Sequence, residues 1–233
     1  VWYKERRPQI EHIFETQQYG LAPGRPAGES FEITDKGTPA LGGKAIRKQV
    51  TIHLLKAPKA PVIHLLEYLP ANAKKPVPMF FTISFGPIQN TADDPGIVPE
   101  QVRNPRTNEL EPPRPAGRFV FGRVPVTQFL DAGIGVATYY YAELDPDSLT
   151  GFPYGIRAFY KKPGQTGEAD RAPDAWGSIA AWAWGMSRVE DYFETDPGVD
   201  AKRVAIQGVS RLGKTVMWAG AHDSRFAAVL ARC

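Results

Sequence analysis

Apolar residues recur in two patterns along the chain, and together they predict a sheet flanked by helices. Residues 44–55 alternate between apolar and polar positions, and 61–69 follow as a second strand, which is typical of an antiparallel pair. Nearly continuous apolar runs instead indicate strands that are covered on both faces, as in the centre of a parallel sheet. These runs are 77–85, 134–141, 203–207 and 226–231.

A helical period predicts three helices. Residues 5–18 carry an apolar stripe behind Pro8, 174–195 carry apolar residues along one side with Asp174 as the expected N-cap, and 211–222 follow the third buried run. The order β-β-β…β-α-β-α-β predicts a mostly parallel α/β sheet that starts with antiparallel strands. We expect residues 1–233 to form one domain.

Two long connections leave the carboxyl ends of predicted central strands, where α/β sheets place their sites. They span residues 86–118 and 142–173, and connections of this length in a compact domain are usually functional. Aromatic side chains around them could form sugar-binding platforms or a hydrophobic cover over the sheet, and the sequence leaves both open. They are Tyr139, Tyr140, Tyr141, Phe152, Tyr154, Phe159 and Tyr160.

Composition narrows the class of protein. Of 233 residues, 42% are hydrophobic and 23% charged, which is ordinary for a globular protein, and a net charge of +3 is too small to indicate nucleic-acid binding. No apolar run reaches the ~18 residues that span a bilayer, so we expect no membrane insertion. The single cysteine, Cys233, excludes an intrachain disulfide.

The octet Gly208–Thr215, "GVSRLGKT", fits two unrelated chemistries. It matches the phosphate-binding pattern G-x-x-x-x-G-K-[ST], and it also places Ser210 between a strand and a helix, as in the nucleophile elbow of a hydrolase. The phosphate interpretation is weakened by the absence of further glycines inside the octet. A phosphate loop also needs an acidic residue at the end of a later strand, and the chain has none there. Such a loop usually follows the first strand of its domain, whereas about 200 residues of α/β sequence precede the octet.

The elbow interpretation accounts for more of the octet. Gly208 permits a close backbone approach at the turn, and the N–H after Ser210 can face a developing oxyanion. Lys214 lies four residues after Ser210 and shares its helix face, while Arg211 can direct its guanidinium at the same oxyanion. The remaining alternative is a turn serine beside two solvated cations.

Around Ser210 and upstream of it, the sequence resembles a known family. The resemblance rests on the segments "GVSRLGKT" and "WAGAHDSRFAAVL", the preceding "AWGSIAAWAWGMSRVEDYFETDPGVDAKRVAIQG", and the upstream "MFFTISFGPIQNT" and "GVATYYYAELDPD". These segments resemble bacterial glucuronoyl esterases of carbohydrate esterase family 15. The likeness extends over practically the whole chain. It implies an α/β-hydrolase fold, a three-layer αβα sandwich with antiparallel N-terminal strands. We expect the chain to be the N-terminal portion, truncated after the strand that follows the nucleophile helix.

The resemblance also implies a function. It implies a serine-type hydrolase of 4-O-methyl-glucuronic acid esters, which link glucuronoxylan to lignin, with no metal or organic cofactor. Ser210 would be the nucleophile, Arg211 would support the oxyanion, and Lys214 would contact the uronate sugar. Another carbohydrate or acetyl esterase of this fold, or a non-catalytic polysaccharide-binding module, remains an alternative. We expect a secreted or periplasmic monomer that associates with any missing C-terminal segment.

A serine esterase also needs a histidine base and an acid, which follow the serine in this fold. Of the four histidines, only His222 follows Ser210, and it lies twelve residues along the same helix, about 18 Å away and on another face. We therefore expect His222 to be a helix C-terminal residue, and His53 and His64 to be packed or surface residues. We therefore expect the base beyond Cys233. Several members of the family carry Glu where this chain has Cys233, and others place the acid on a later loop, so we expect the acid beyond Cys233 as well.

Overall fold

A seven-stranded mixed sheet forms the centre of the computed structural model, which describes residues 1–113, 124–165, 167–170 and 172–232. Its strands are β1 (Ser30–Ala40), β2 (Ala45–His53), β3 (Val62–Pro70), β4 (Val77–Ser84), β7 (Gly135–Tyr140), β8 (Val199–Val209) and β9 (Ala228–Arg232). A separate small hairpin contains β5 (Val102–Arg103) and β6 (Leu110–Glu111). The order across the main sheet is β1-β2-β3-β7-β4-β8-β9.

Pair orientation divides the sheet into two halves. Strands β1, β2, β3 and β7 pair antiparallel in that order, whereas β7, β4, β8 and β9 pair parallel. The antiparallel start therefore has three strands rather than the predicted two. Strand β1 escapes prediction because its side chains are mostly exposed and its pairing is irregular after Ile33 and after Asp35. Such a strand carries no regular alternation of apolar and polar residues.

Helices cover both faces of this sheet. They are α1 (Arg7–Phe14), flanked by π-helical segments at Trp2–Arg6 and Glu15–Tyr19, then α2 (Val126–Asp131), α3 (Tyr141–Leu144), α4 (Ser178–Phe193) and α5 (Arg211–His222). Short 3₁₀ segments lie at Leu41–Gly43, Ile88–Asn90, Phe152–Tyr154 and Ile156–Tyr160. The predicted bounds of the last helix are confirmed.

Helix α4 starts later than predicted. Asp174 is not its N-cap, because that position belongs to Gly177, and the Asp174 carbonyl accepts a hydrogen bond from the Leu21 N–H at 2.9 Å. The N–H of Gly177 donates to the Tyr19 carbonyl at 2.8 Å, and the helix begins at Ser178. Backbone hydrogen bonds therefore hold this stretch against Tyr19 and Leu21 at the end of the N-terminal helical region.

Strand β4 shows how the layers are divided. Met79 and Phe81 enter the large core that contains α4 and α5, and Phe81 meets Phe193 of α4 edge-on at 5.6 Å between ring centroids. Phe80 points to the other face and stacks on Phe129 of α2 at 4.4 Å. The predicted three-layer αβα sandwich of the α/β-hydrolase fold is confirmed.

Strand β9 differs from the expectation in one respect. The run 226–231 predicts a strand covered on both faces, yet every residue of Ala228–Arg232 is exposed. The reason is its place at the sheet edge, where its pairing partner is β8 alone among the described strands. Within the described part of the chain, no helix has both the length and the apolar content needed to cross a bilayer.

Candidate active site

A one-residue turn places Ser210 between a strand and a helix. Strand β8 ends at Val209 and α5 begins at Arg211, so Ser210 alone makes the reversal. Its backbone has φ 56° and ψ −124°, a positive φ that residues other than glycine seldom adopt. Ser210 is exposed as a result. This sharp, strained strand-to-helix turn is the geometry of a nucleophile elbow.

Two glycines make this turn possible. A Cβ atom added to Gly208 would lie 2.2 Å from the carbonyl oxygen of Leu212, and one added to Gly213 would lie 2.9 Å from that of Arg232. The Ser210 N–H donates to the same Arg232 carbonyl at 2.6 Å. The start of α5 is thereby fixed against both β8 and β9.

The same geometry weighs against the phosphate-binding interpretation of the octet. A phosphate loop surrounds one anion with several consecutive backbone N–H groups. Here the octet has a single turn residue, and Lys214 already lies inside α5. As the first helical residue, Arg211 has no intrahelical partner for its N–H.

The two predicted cations share one cavity. Arg211 and Lys214, both exposed, line a cavity of about 310 Å³ together with Tyr19, Asp147 and Trp182. Ser210 is not among its lining residues, although it immediately precedes Arg211. The structure therefore brings the two cations together and leaves Ser210 on the adjoining turn.

Asp147 is a site residue that the sequence did not single out. Its carboxylate accepts a hydrogen bond from Nη1 of Arg211 and a second from the Tyr141 hydroxyl, at 2.9 Å. Burial and the charge of Asp147 raise the pKa of Tyr141. The only sequence signal was that the acidic connection 142–173 leaves the edge at which Ser210 lies.

An aromatic ring completes the surroundings of Arg211. Its guanidinium carbon lies 5.9 Å from the ring centroid of Phe85, which directly follows β4. Phe85 also meets Tyr141 edge-on, at 5.4 Å between centroids. Groups at the carboxyl ends of β4, β7 and β8 thus meet around one guanidinium, because these strands are parallel neighbours.

His222 lies at the C-terminus of its helix, as predicted, and His53 lies at the end of β2. Nε2 of His222 lies 3.0 Å from Glu15 Oε1, and its ring is tilted by 46° against that of Trp218, with 4.0 Å between the ring centroids. His53 pairs with exposed Glu32 at 3.0 Å. No described histidine lines the cavity of Arg211 and Lys214. Cys233 lies outside the described residues, so the expectation of a base and an acid beyond it stays a prediction.

The aromatic residues in and beside the two connections differ in their exposure. Tyr139, Tyr141 and Phe152 are buried, whereas Tyr154 and Phe159 are 44% and 38% exposed. Tyr154 is partly covered by the guanidinium of Arg103, which lies 4.3 Å from its ring centroid. For the exposed pair, a sugar platform stays a prediction.

A strand–serine–helix turn at the carboxyl edge of a covered mixed sheet defines the α/β-hydrolase fold. The family model described as "Glucuronyl esterase, fungi" matches residues 119–232. The chain is 41% identical over its full length to Carbohydrate esterase MZ0003 from an unknown prokaryotic organism, and covers 54% of that protein. The predicted resemblance to glucuronoyl esterases is confirmed, and the chain is a relative of that family.

Solved structures agree with this relationship. A glucuronoyl esterase from Solibacter usitatus superposes with a TM-score of 0.89 at 44% identity, over 99% of this chain and 58% of the other. A CE15 glucuronoyl esterase from Teredinibacter turnerae gives a TM-score of 0.70 at 29% identity, over 98% of this chain and 51% of the other. The chain therefore spans between half and three fifths of the relatives that it matches along its whole length.

Proposed function

We propose that the complete protein is a serine-type carboxylic ester hydrolase that cleaves esters of 4-O-methyl-glucuronic acid between glucuronoxylan and lignin. The observation that carries this proposal is the turn at Ser210, which exposes a serine hydroxyl next to two cations that share a cavity. The names of the relatives support the substrate class, since several are 4-O-methyl-glucuronoyl methylesterases, among them that of Hypocrea jecorina.

In this proposal a base removes the proton of Ser210 while Oγ attacks the ester carbonyl. The tetrahedral intermediate carries a negative charge, which the Arg211 guanidinium and the N–H groups at the start of α5 stabilise. The alcohol then leaves with a proton from the same base, and water releases the uronic acid from the acyl-enzyme. Lys214 contacts the sugar oxygens of the substrate from within the same cavity.

Arg211 can do this while it is paired with Asp147. A guanidinium has five N–H donors, and the Asp147 contact uses one of them, on Nη1. The carboxylate therefore fixes the direction of the side chain and leaves donors for the oxyanion. Secretion or a periplasmic location follows from the polymeric substrate and is part of this proposal.

The test compares the complete wild-type protein with Ser210→Ala, using exposed Ser224→Ala as the matched control. We expect hydrolysis of a methyl or benzyl glucuronate ester and labelling of the serine by a fluorophosphonate, with both lost in Ser210→Ala and kept in Ser224→Ala. Undiminished hydrolysis in Ser210→Ala would overturn the mechanism. Faster hydrolysis of acetylated xylan than of the uronate ester would identify another esterase of this fold.

A further inference from the structure

Three side chains from distant parts of the chain converge outside the cavity of Arg211 and Lys214. They are His64 of β3, Glu100 of the connection after β4, and Glu143 of α3. A histidine nitrogen and one carboxylate oxygen from each glutamate all lie within 4.8 Å of one another. The sheet explains the meeting. Strand β3 pairs antiparallel with β7, with Leu66 opposite Thr138, so the residues before Leu66 lie toward the end of β7, where α3 begins.

Among these three residues, Glu100 has a carboxylate with too few hydrogen-bond partners. It is 7% exposed, and its Oε1 atom has no hydrogen-bond partner among the described residues. Its Oε2 atom accepts a long bond of 3.4 Å from the Ile88 N–H. A buried carboxyl with an unpartnered oxygen is costly unless a proton or a cation satisfies it.

The other two members are preoriented. The Glu143 carboxylate accepts the His64 backbone N–H at 2.8 Å, and its second oxygen lies 2.7 Å from His64 Nδ1. Glu143 is mostly buried, with 12% of its side chain exposed, whereas the His64 side chain is 44% exposed. Both line a cavity of about 460 Å³ that Glu100 and Tyr140 also border. An ion can therefore reach the group through this cavity.

We propose that His64, Glu100 and Glu143 bind one divalent transition-metal ion, of which Zn²⁺ is the best-suited representative. One imidazole nitrogen and two carboxylate oxygens are ligands that Zn²⁺ accepts, and three protein ligands leave a position for water. Any proton that the three ligands hold is released on binding, since metal ligands are deprotonated. The ion neutralises the two adjacent carboxylates and ties the connection that carries Glu100 to β3 and α3.

The experiment uses the complete protein after treatment with EDTA, titrated with Zn²⁺ by calorimetry at neutral pH. We expect binding of one equivalent and a rise of several degrees in Tm when Zn²⁺ is in excess over Kd. Glu100→Gln and His64→Gln each remove a ligand, so each is expected to weaken binding by at least about tenfold. His53→Gln, whose imidazole pairs with exposed Glu32, is the matched control and keeps wild-type affinity.

Two results would overturn the proposal. One is the absence of both heat and a Tm shift in the wild-type protein at millimolar Zn²⁺. The other is wild-type affinity in both Glu100→Gln and His64→Gln, which would place any bound Zn²⁺ elsewhere. The two variants act independently, so the unfolding of one leaves the other to decide. Binding is read directly and does not depend on ester hydrolysis.

Discussion

The carboxylate of Asp147 accepts a hydrogen bond from the guanidinium of Arg211 and orients it above the ring of Phe85. We expect Asp147 to be a positioning residue that acts through Arg211. Asp147→Asn in the complete protein should lower kcat for a glucuronate ester by about tenfold with little change in KM, because the guanidinium that we propose as oxyanion donor loses its fixed direction. Steady-state kinetics of the variant measure this split.

The double variant tests the dependence on Arg211. If Asp147 acts only through Arg211, then Asp147→Asn combined with Arg211→Ala should be no slower than Arg211→Ala alone. Tyr141→Phe, which removes the second hydrogen bond to Asp147, should give a smaller loss of kcat than Asp147→Asn. Additive losses in the double variant would show that Asp147 works independently.

Gly208 is expected to be essential for the elbow itself. In Gly208→Ala the new methyl group would lie 2.2 Å from the backbone oxygen of Leu212, so the start of α5 must move. We expect a loss of stability of about 2 kcal/mol or more, and a loss of esterase activity in the fraction that still folds. Gly24→Ala is the control, because no atom lies within 4 Å of its added Cβ. Urea denaturation and ester hydrolysis measure both effects, and a variant as stable and active as this control would contradict the expectation.

Glu67 is expected to make stability fall as the pH rises. Burial, assisted by the charge of Asp196, raises the pKa of Glu67 to about 8, whereas in the unfolded chain it is near 4.5. Between these values the folded state holds a proton that the unfolded state releases. The free energy of unfolding therefore decreases with increasing pH in this window, by up to about 1.4 kcal/mol per pH unit.

Glu67→Gln removes this contribution. Urea denaturation of wild type and variant near pH 5 and pH 8 should show a steeper loss of stability in wild type, while Glu109→Gln, at an exposed position, should follow wild type. Parallel pH profiles for wild type and Glu67→Gln would mean that Glu67 titrates normally in the folded protein.

The buried ion pair between Arg157 and Asp145 is expected to anchor the second connection. Their side chains are 6% and 0% exposed, and Arg157 Nε lies 2.9 Å from Asp145 Oδ2. Arg157→Ala leaves a buried carboxylate without its cation, so we expect a loss of about 3–5 kcal/mol in the free energy of unfolding. Asp145→Asn in the same background should recover part of it, because the unpaired charge is gone.

An exposed pair supplies the comparison for this loss. On the surface, Arg203 Nε lies 2.6 Å from Asp200 Oδ2. Arg203→Ala should leave the urea denaturation midpoint unchanged. Equal losses in Arg157→Ala and Arg203→Ala would show that the burial of the Arg157 pair has no energetic consequence.

The sequence alone determined most of the sheet, the elbow and the family resemblance. Apolar runs and glycine positions are local signals, since burial on both faces requires continuous apolar residues and a one-residue reversal requires glycine where backbones touch. These signals located β4, β7 and β8, and gave the bounds of α5 and the place of Ser210. Strand β1 was missed because exposed, irregular edge strands leave little periodicity.

Only the tertiary structure decided which polar side chains meet. Asp147 pairs with Arg211 across 64 residues of chain, and Glu143 pairs with His64 across 79. No local pattern reports such contacts, because they depend on which strands are neighbours and on how the connections fold back over their ends. The carboxyl edge of β4, β7 and β8 brings the first pair together. The antiparallel pairing of β3 with β7 brings the second pair together, beside Glu100.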